Sequence, residues 1–293
     1  MSDGMSDDDM RADAAGRGAG KVAVVTGASR GVGKGVALAL GEEGWTVYLT
    51  GRGPLGENTR LLRAAEEVTA RGGTGVAVEC DHRDDEQIAA VFDRVDAERG
   101  RIDLLVNNVW AGPNYDRAAE PYWRRPLDDW DSLIGVGLRA HFVASVAATA
   151  RMVERNSGLI VNISSFGTRR HLHSVLYGMS KAALDKMTAD MAVELRGHDV
   201  TVLSLWLGLV QTESVLAKGV DTIAGFPIAL AETPEFEGRV IAALAADPEV
   251  RARSGHTLIS AETAVEYGVT ERDGRVPGSH RAAFGGGPVF PVP

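Results

Sequence analysis

In the stretch SSFGTRRHLHSVLYGMSK, residues 164–181, a tyrosine precedes a lysine by four positions, just downstream of a serine pair. Four residues make about one helical turn, so Tyr177 and Lys181 would stand one above the other on a helix face. A free tyrosine keeps its proton to about pH 10, too high for acid–base work near neutrality. An ammonium about 4 Å away, at an effective dielectric of about 20, favours the phenolate by about 4 kcal/mol, and desolvation of both groups erodes part of that. The pair therefore reads as a phenol tuned to give and take a proton at a carbonyl or alcohol oxygen.

A second chemical feature lies near the N-terminus. VAVVTGASRGVGKG, residues 22–35, runs from a β-branched strand through a tight turn into a helix. Gly27, Gly31 and Gly33 let backbone approach a ligand closely, and the helix start after Ser29 offers free N–H groups and a positive dipole end to a pyrophosphate. The spacing is T-G-x-x-x-G-x-G, not the G-x-G-x-x-G of the general dinucleotide fingerprint.

Positioning these groups requires a regular frame. Short, near-continuous apolar runs (21–27, 46–50, 74–80, 102–108, 158–164 and 200–206) alternate with helical spacing, ending in a helix from about Tyr177 to Arg196. That pattern predicts a parallel sheet covered on both faces, a doubly wound α/β (Rossmann) fold in one domain. Residues 21–275 are assigned to that domain. Residues 1–20 read as an acidic, Gly/Ala-rich disordered leader, and 276–293 as a Gly/Pro-rich tail, either disordered or laid over a neighbouring surface. Thr233-Pro234 reads as the N-cap and first turn of a late helix, and 256–260 as a last strand.

The net charge of −9 and pI near 5.3 argue against nucleic acid or an anionic membrane as a general partner. The single cysteine, Cys80, excludes an intrachain disulfide and fits a reducing, cytoplasmic setting. The apolar run 133–153 contains Arg139, His141 and Ser145, which makes it a poor membrane span and a better buried or subunit-contact helix. Its apolar residues fall in two stripes: Leu133, Val136, Ala140, Val143 and Ala147 along one, Ile134, Leu138 and Phe142 along the other. His171 and His173, without a third ligand, read as loop or substrate-facing residues; no metal is expected.

Taken in order, Thr26–Gly33, the pair Asn107-Asn108, Ser165, Tyr177 and Lys181 resemble the motifs of the classical short-chain dehydrogenase/reductase family across about residues 20–262. NNVWAGP, VGLRAHF, SLWLGLVQTE and YGVTERDGR further resemble its subgroup called dehydrogenase/reductase member one. The resemblance implies that Tyr177 is the acid/base, that Lys181 also hydrogen-bonds the nicotinamide ribose, and that Ser165 (with Ser164 the fallback) holds the substrate oxygen. It implies cofactor contacts from Gly27, Ser29, Arg30, Gly31, Val32 and Gly33. Asp81 and His82 are expected beside the adenine, Asn107 near its ribose, and Val210 and Thr212 at the carboxamide. The second strand ends YLTGRG, without the carboxylate that binds a ribose 2′-OH, and Arg52 and Arg30 are placed to meet a 2′-phosphate, which favours NADP(H) over NAD(H).

Three departures from the family pattern stand out. N-N-V-W-A-G replaces N-N-A-G, Leu207 replaces a common proline, and Gly137 occupies the place of an asparagine whose carbonyl anchors a proton-relay water. The glycine keeps the carbonyl but removes the side chain. Trp110, Tyr115, Tyr122 and Trp123, with segments 169–173 and 212–230, are expected at the pocket mouth, which points to a bulky, apolar carbonyl or alcohol substrate. Two functions fit: an NADP(H)-dependent carbonyl reductase or alcohol dehydrogenase, favoured by the intact Ser-Tyr-Lys set, or a non-catalytic NADP-binding regulator or scaffold. The family precedent and the two-striped helix imply a homodimer or homotetramer.

Overall fold

The computed structural model describes residues 18–57, 59–112 and 120–290. Strands β1 (Val22–Val25), β2 (Thr46–Gly51), β3 (Thr74–Glu79), β4 (Leu104–Asn107), β5 (Gly158–Ser165) and β6 (Val200–Leu207) enter one sheet with a late strand, β9 (Thr257–Ile259). The spatial order is β3-β2-β1-β4-β5-β6-β9, and every pairing is parallel. Successive strands are added toward one edge from β1 to β3 and toward the other from β4 onward, so the order reverses between β1 and β4, the switch point at which such folds place a ligand. A two-stranded hairpin, β7 (Thr222–Ile223) with β8 (Phe226–Pro227), lies outside the main sheet.

Period-two alternation sends neighbouring strand residues to opposite faces, so both faces are apolar and both are covered. Ala23 and Val25 of β1 join the core under helices α1 (Gly31–Glu42), α2 (Thr59–Ala70) and α7 (Pro234–Ala246). Val22 and Val24 join the opposite core, under α3 (Asp85–Arg99) and α4 (Ala140–Arg155). Each fully buried Val, Leu or Ile removes apolar surface worth about 1.5–3 kcal/mol from water, which makes this double layer the source of the frame's rigidity.

Helix α5 (Val175–Glu194) starts two residues before the expected Tyr177. Ser174 caps it, accepting a hydrogen bond from the Tyr177 amide, and so places Tyr177 in the first turn with Lys181 one turn further. Thr233 caps α7 in the expected way, with Pro234 in its first turn. Two features have no simple periodic signature. Residues Asp131–Arg139 form a π-helical stretch running into α4, a wide geometry that recurs at functional sites. A helix too short for any amphipathic pattern, α6 (Glu213–Leu216), follows the turn after β6; α8 (Ser260–Tyr267) closes the domain.

The two assigned ends are described only in part. Residues 1–17 of the expected leader lie outside the described residues. Residues 18–20 form a turn, with the Gly18 amide bonded to the Glu43 carbonyl. The tail, through residue 290, is laid back on the domain: Phe284 packs against Phe166, Phe226 and His280, with ring centroids 5.2, 5.4 and 5.7 Å apart. Arg170 holds the Ala283 carbonyl at 2.8 Å. Residues 128–155 form the single stretch among the described residues apolar and long enough to cross a bilayer. Its Leu133, Val136, Ala140, Ala144 and Ala148 are buried in the fold, whereas Phe142 and Val146 are more than half exposed.

Candidate active site

The C-terminal ends of β1, β4, β5 and β6 converge on one cleft. At the end of β5 the phenol hydroxyl of Tyr177 donates to Ser165 Oγ at 2.7 Å. Ser165 is fixed in turn, because its Oγ also accepts the Gly167 amide at 3.0 Å. Ser164, pointing the other way, is buried against the Lys181 carbonyl at 3.5 Å. Strand alternation therefore distinguishes the two serines, and Ser165 is the one the fold brings to Tyr177. Tyr177 as a whole is only 8% exposed.

The Lys181 ammonium lies 5.9 Å from the Tyr177 ring centroid and donates to the Ile163 carbonyl at 2.8 Å. A buried cation requires such a partner, so the lysine is anchored to β5 as well as stacked beneath the phenol. Burial pulls its pKa down to about 8, against the opposing pull of Asp185. One turn further along α5, Asp185 is itself buried. Its carboxylate accepts from Ser204, from Trp206 Nε1 at 2.8 Å and from Thr168 Oγ1 at 2.8 Å. Burial raises the Asp185 pKa while these donors oppose the shift. Asp185 thus ties the helix that carries Tyr177 and Lys181 to β6 and to the loop after Ser165. Spacing alone could not have found it, since its partners are distant in sequence.

The glycine turn is built for backbone contact. Gly27 and Gly31 have φ of 66° and 59°, the left-handed region that glycine tolerates. A Cβ at Gly33 would lie 2.4 Å from Asn108 Nδ2 and 2.7 Å from the Gly27 carbonyl, which leaves no room for a side chain. Asn108 holds the turn from the end of β4: its Nδ2 donates to the Thr26 and Gly27 carbonyls at 2.8 and 3.1 Å. The Gly31 amide donates to the Glu213 carboxylate at 2.9 Å. An amide of the turn therefore already holds an anion, the chemistry expected of a pyrophosphate cradle. Ser29 and Val32 are half-buried in the turn, and Arg30 is exposed beside them. Arg52, at the end of β2, is also exposed.

Two expected cofactor contacts turn inward. Asn107 is fully buried, its amide donating to Ser145 Oγ and Asn162 Oδ1 at 2.9 Å each. It braces β4 against β5 and α4, and its side chain is not presented to a ribose. His82 is 4% exposed, with Nε2 2.7 Å from Thr50 Oγ1. Thr50 Oγ1 accepts the Gly27 amide at 3.1 Å, so His82 acts on the glycine turn through Thr50. Burial lowers the His82 pKa to about 4, which keeps the ring neutral. Asp81 pairs with Arg83, which holds its carboxyl below the usual range.

Across the cleft, Val210 is buried and Thr212 caps α6, its methyl facing the Gly31 backbone. The turn ahead of them is pinned by Glu232, which accepts the Gly208 amide at 2.6 Å and the Ser260 hydroxyl at 3.2 Å. Glu232 and Glu237 are both buried, and desolvation raises the pKa of each. Trp110 and His173 both meet the Tyr177 ring edge-on, with centroids 6.0 and 4.7 Å away. Tyr122 and Trp123 are exposed, while Tyr115 lies outside the described residues.

Asn108, Glu213, Asp185 and Glu232 were missed as site residues. Asn108 had a signal in its place beside Asn107 at the strand end, and Glu213 in its place within 212–230; Asp185 and Glu232 had none.

The chain as a whole is similar to known proteins. The family model described as short chain dehydrogenase covers residues 21–220. A mouse protein, dehydrogenase/reductase SDR family member 1, is 42% identical over 87% of this chain and 84% of its own. A 3-oxoacyl-[acyl-carrier-protein] reductase of Synechocystis is 31% identical over 81% of this chain and 94% of its own. A metagenomic short-chain oxidoreductase, solved in complex with NADP, superposes with a TM-score of 0.64 at 32% identity, over 80% of this chain and 94% of its own. With its seven-stranded parallel sheet and this cleft, the chain belongs to the short-chain dehydrogenase/reductase family of oxidoreductases.

Proposed function

We propose that this protein interconverts a carbonyl compound and its alcohol with NADP(H), using Ser165, Tyr177 and Lys181. The observation that carries the reading is the 2.7 Å hydrogen bond from the Tyr177 hydroxyl to Ser165, above a buried ammonium one turn away. Both hydroxyls converge where a carbonyl oxygen can replace their mutual bond. In reduction Ser165 donates to that oxygen and holds it, and Tyr177 gives it a proton; in oxidation Tyr177 takes the proton back. The Lys181 charge stabilises the phenolate left behind. When bound, the nicotinamide supplies or accepts the hydride.

The glycine turn, already gripping the Glu213 carboxylate, would hold the pyrophosphate, so Glu213 must yield that amide as the cofactor enters. Val210 and Thr212 would hold the carboxamide end. Exposed Arg30 and Arg52 at the other end suit a 2′-phosphate, and the NADP complex of the metagenomic relative supports the same choice. The exposed stripe of Phe142 and Val146 on α4, with Val175, Met179 and Val193 on α5, is proposed as the contact with a second copy.

Incubating the purified protein with NADPH and a panel of aryl, cyclic and aliphatic carbonyl compounds tests the function. Substrate-dependent loss of NADPH is expected. Tight NADPH binding with no turnover across the panel would favour the scaffold reading instead.

A further inference from the structure

Two of the three departures from the family pattern meet at one point in space. Gly137 is buried within the π-helical stretch before α4, and a Cβ built on it would lie 3.4 Å from Trp110 Cδ1 and 3.9 Å from Nε1. A methyl there would already touch the indole. A longer side chain extending from that Cβ, such as an asparagine amide, would compete with the ring for its seat. The inserted tryptophan and the missing side chain are therefore one feature.

What the seat positions is the ring's other contact. Trp110 meets the Tyr177 ring with centroids 6.0 Å apart and planes at 70°, and 37% of the residue stays exposed although it is large and apolar. Tyr177 has His173 at 4.7 Å and 86° as a further flank. An indole beside a proton donor offers a broad apolar face at little cost in rotamer freedom.

We infer that Trp110, seated by Gly137, is a specificity-determining residue that selects flat, apolar carbonyl compounds, aryl ketones and aldehydes above small aliphatic ones. The inference deepens the proposed function and rests on it. The indole orders the substrate's apolar body so that its oxygen meets Ser165 and Tyr177. It takes no part in proton transfer.

The test compares wild type, Trp110→Ala, Trp110→Phe and Gly137→Asn, each checked for an unchanged melting temperature. Steady-state kinetics are run with an aryl ketone and a small aliphatic ketone, and calorimetry measures binding of the aryl alcohol to the NADP⁺ complex. Trp110→Ala should lower the aryl-to-aliphatic ratio of kcat/KM about tenfold, mainly through KM, and weaken the aryl alcohol by a similar factor. Trp110→Phe should keep most of the ratio. Gly137→Asn should reproduce the Trp110→Ala loss, and combining Gly137→Asn with Trp110→Ala should add little, because both remove one seated ring. An unchanged ratio and unchanged alcohol binding in Trp110→Ala would overturn the inference, as would losses that multiply in the double variant. If no ketone turns over in wild type but the alcohol binds and Trp110→Ala weakens it, the catalytic reading fails while the binding wall stands.

Discussion

The two ends of the cleft are built by different means. At the glycine turn almost everything is backbone: positive φ at Gly27 and Gly31, no room for a Cβ at Gly33, and carbonyls held by Asn108. At the proposed substrate end almost everything is side chain: Trp110 and His173 flank Tyr177, and Phe284, Phe226 and His280 pack beyond Phe166. Backbone sites bind what all such cofactors share, and side-chain walls bind what distinguishes one substrate from another. The first end should thus tolerate no change in shape, while the second can be re-cut without losing the reaction.

The sharpest break between the ends is expected from Tyr177→Phe. It keeps the ring and removes the proton, so turnover should fall by about 10² or more while NADPH affinity, measured by calorimetry, holds. Retention of most turnover would move the acid elsewhere. Arg52→Asp addresses the opposite end. Loss of a charge-assisted phosphate contact should weaken NADPH by about 2 kcal/mol, roughly 30-fold, and leave NADH binding level or better. Equal losses for both cofactors would remove Arg52 from the phosphate site.

In the proposed mechanism Lys181 serves both the phenol and the cofactor, and pH reads it. Its folded pKa is depressed to about 8, so the ammonium is present below that pH and lost above it. The kcat/KM for NADPH, which reports groups of the free protein, should therefore fall as pH rises through about 8, by up to tenfold per unit. A level profile through that range would mean that the charge is not used. The smallest effect is expected from Glu213→Gln. A neutral amide competes less for the Gly31 N–H, so NADPH should bind about two- to fivefold tighter, an exposed hydrogen bond being worth little more. Unchanged affinity would show that the carboxylate leaves at no cost.

The same contrast explains what could be read in advance. The α/β alternation, the glycine turn, the Thr233 cap and the Tyr177–Lys181 stack are local, set by residues within a turn or two of one another, and the structure has them. The inward turn of His82 and Asn107 depends on Thr50, Ser145 and Asn162, which no spacing rule places beside them. Asp185 reaching Trp206, Glu232 reaching Gly208 and the tail folding back on Phe166 are likewise products of tertiary packing. Gly137 and Trp110 were each visible as departures from the family pattern. Their contact was not, because 26 positions separate residues 110 and 137 between β4 and α4.

The central claim is that this cleft moves a hydride between a nicotinamide and a carbonyl carbon while Tyr177 moves the proton. Single turnover with NADPH deuterated at its transferable position, followed by mass spectrometry of the product, tests it most directly. Deuterium on the carbinol carbon with wild type, and its loss with Tyr177→Phe despite retained NADPH binding, is the predicted result. Bound NADPH that delivers no deuterium to any carbonyl compound of the panel, or equal transfer by Tyr177→Phe, would contradict it.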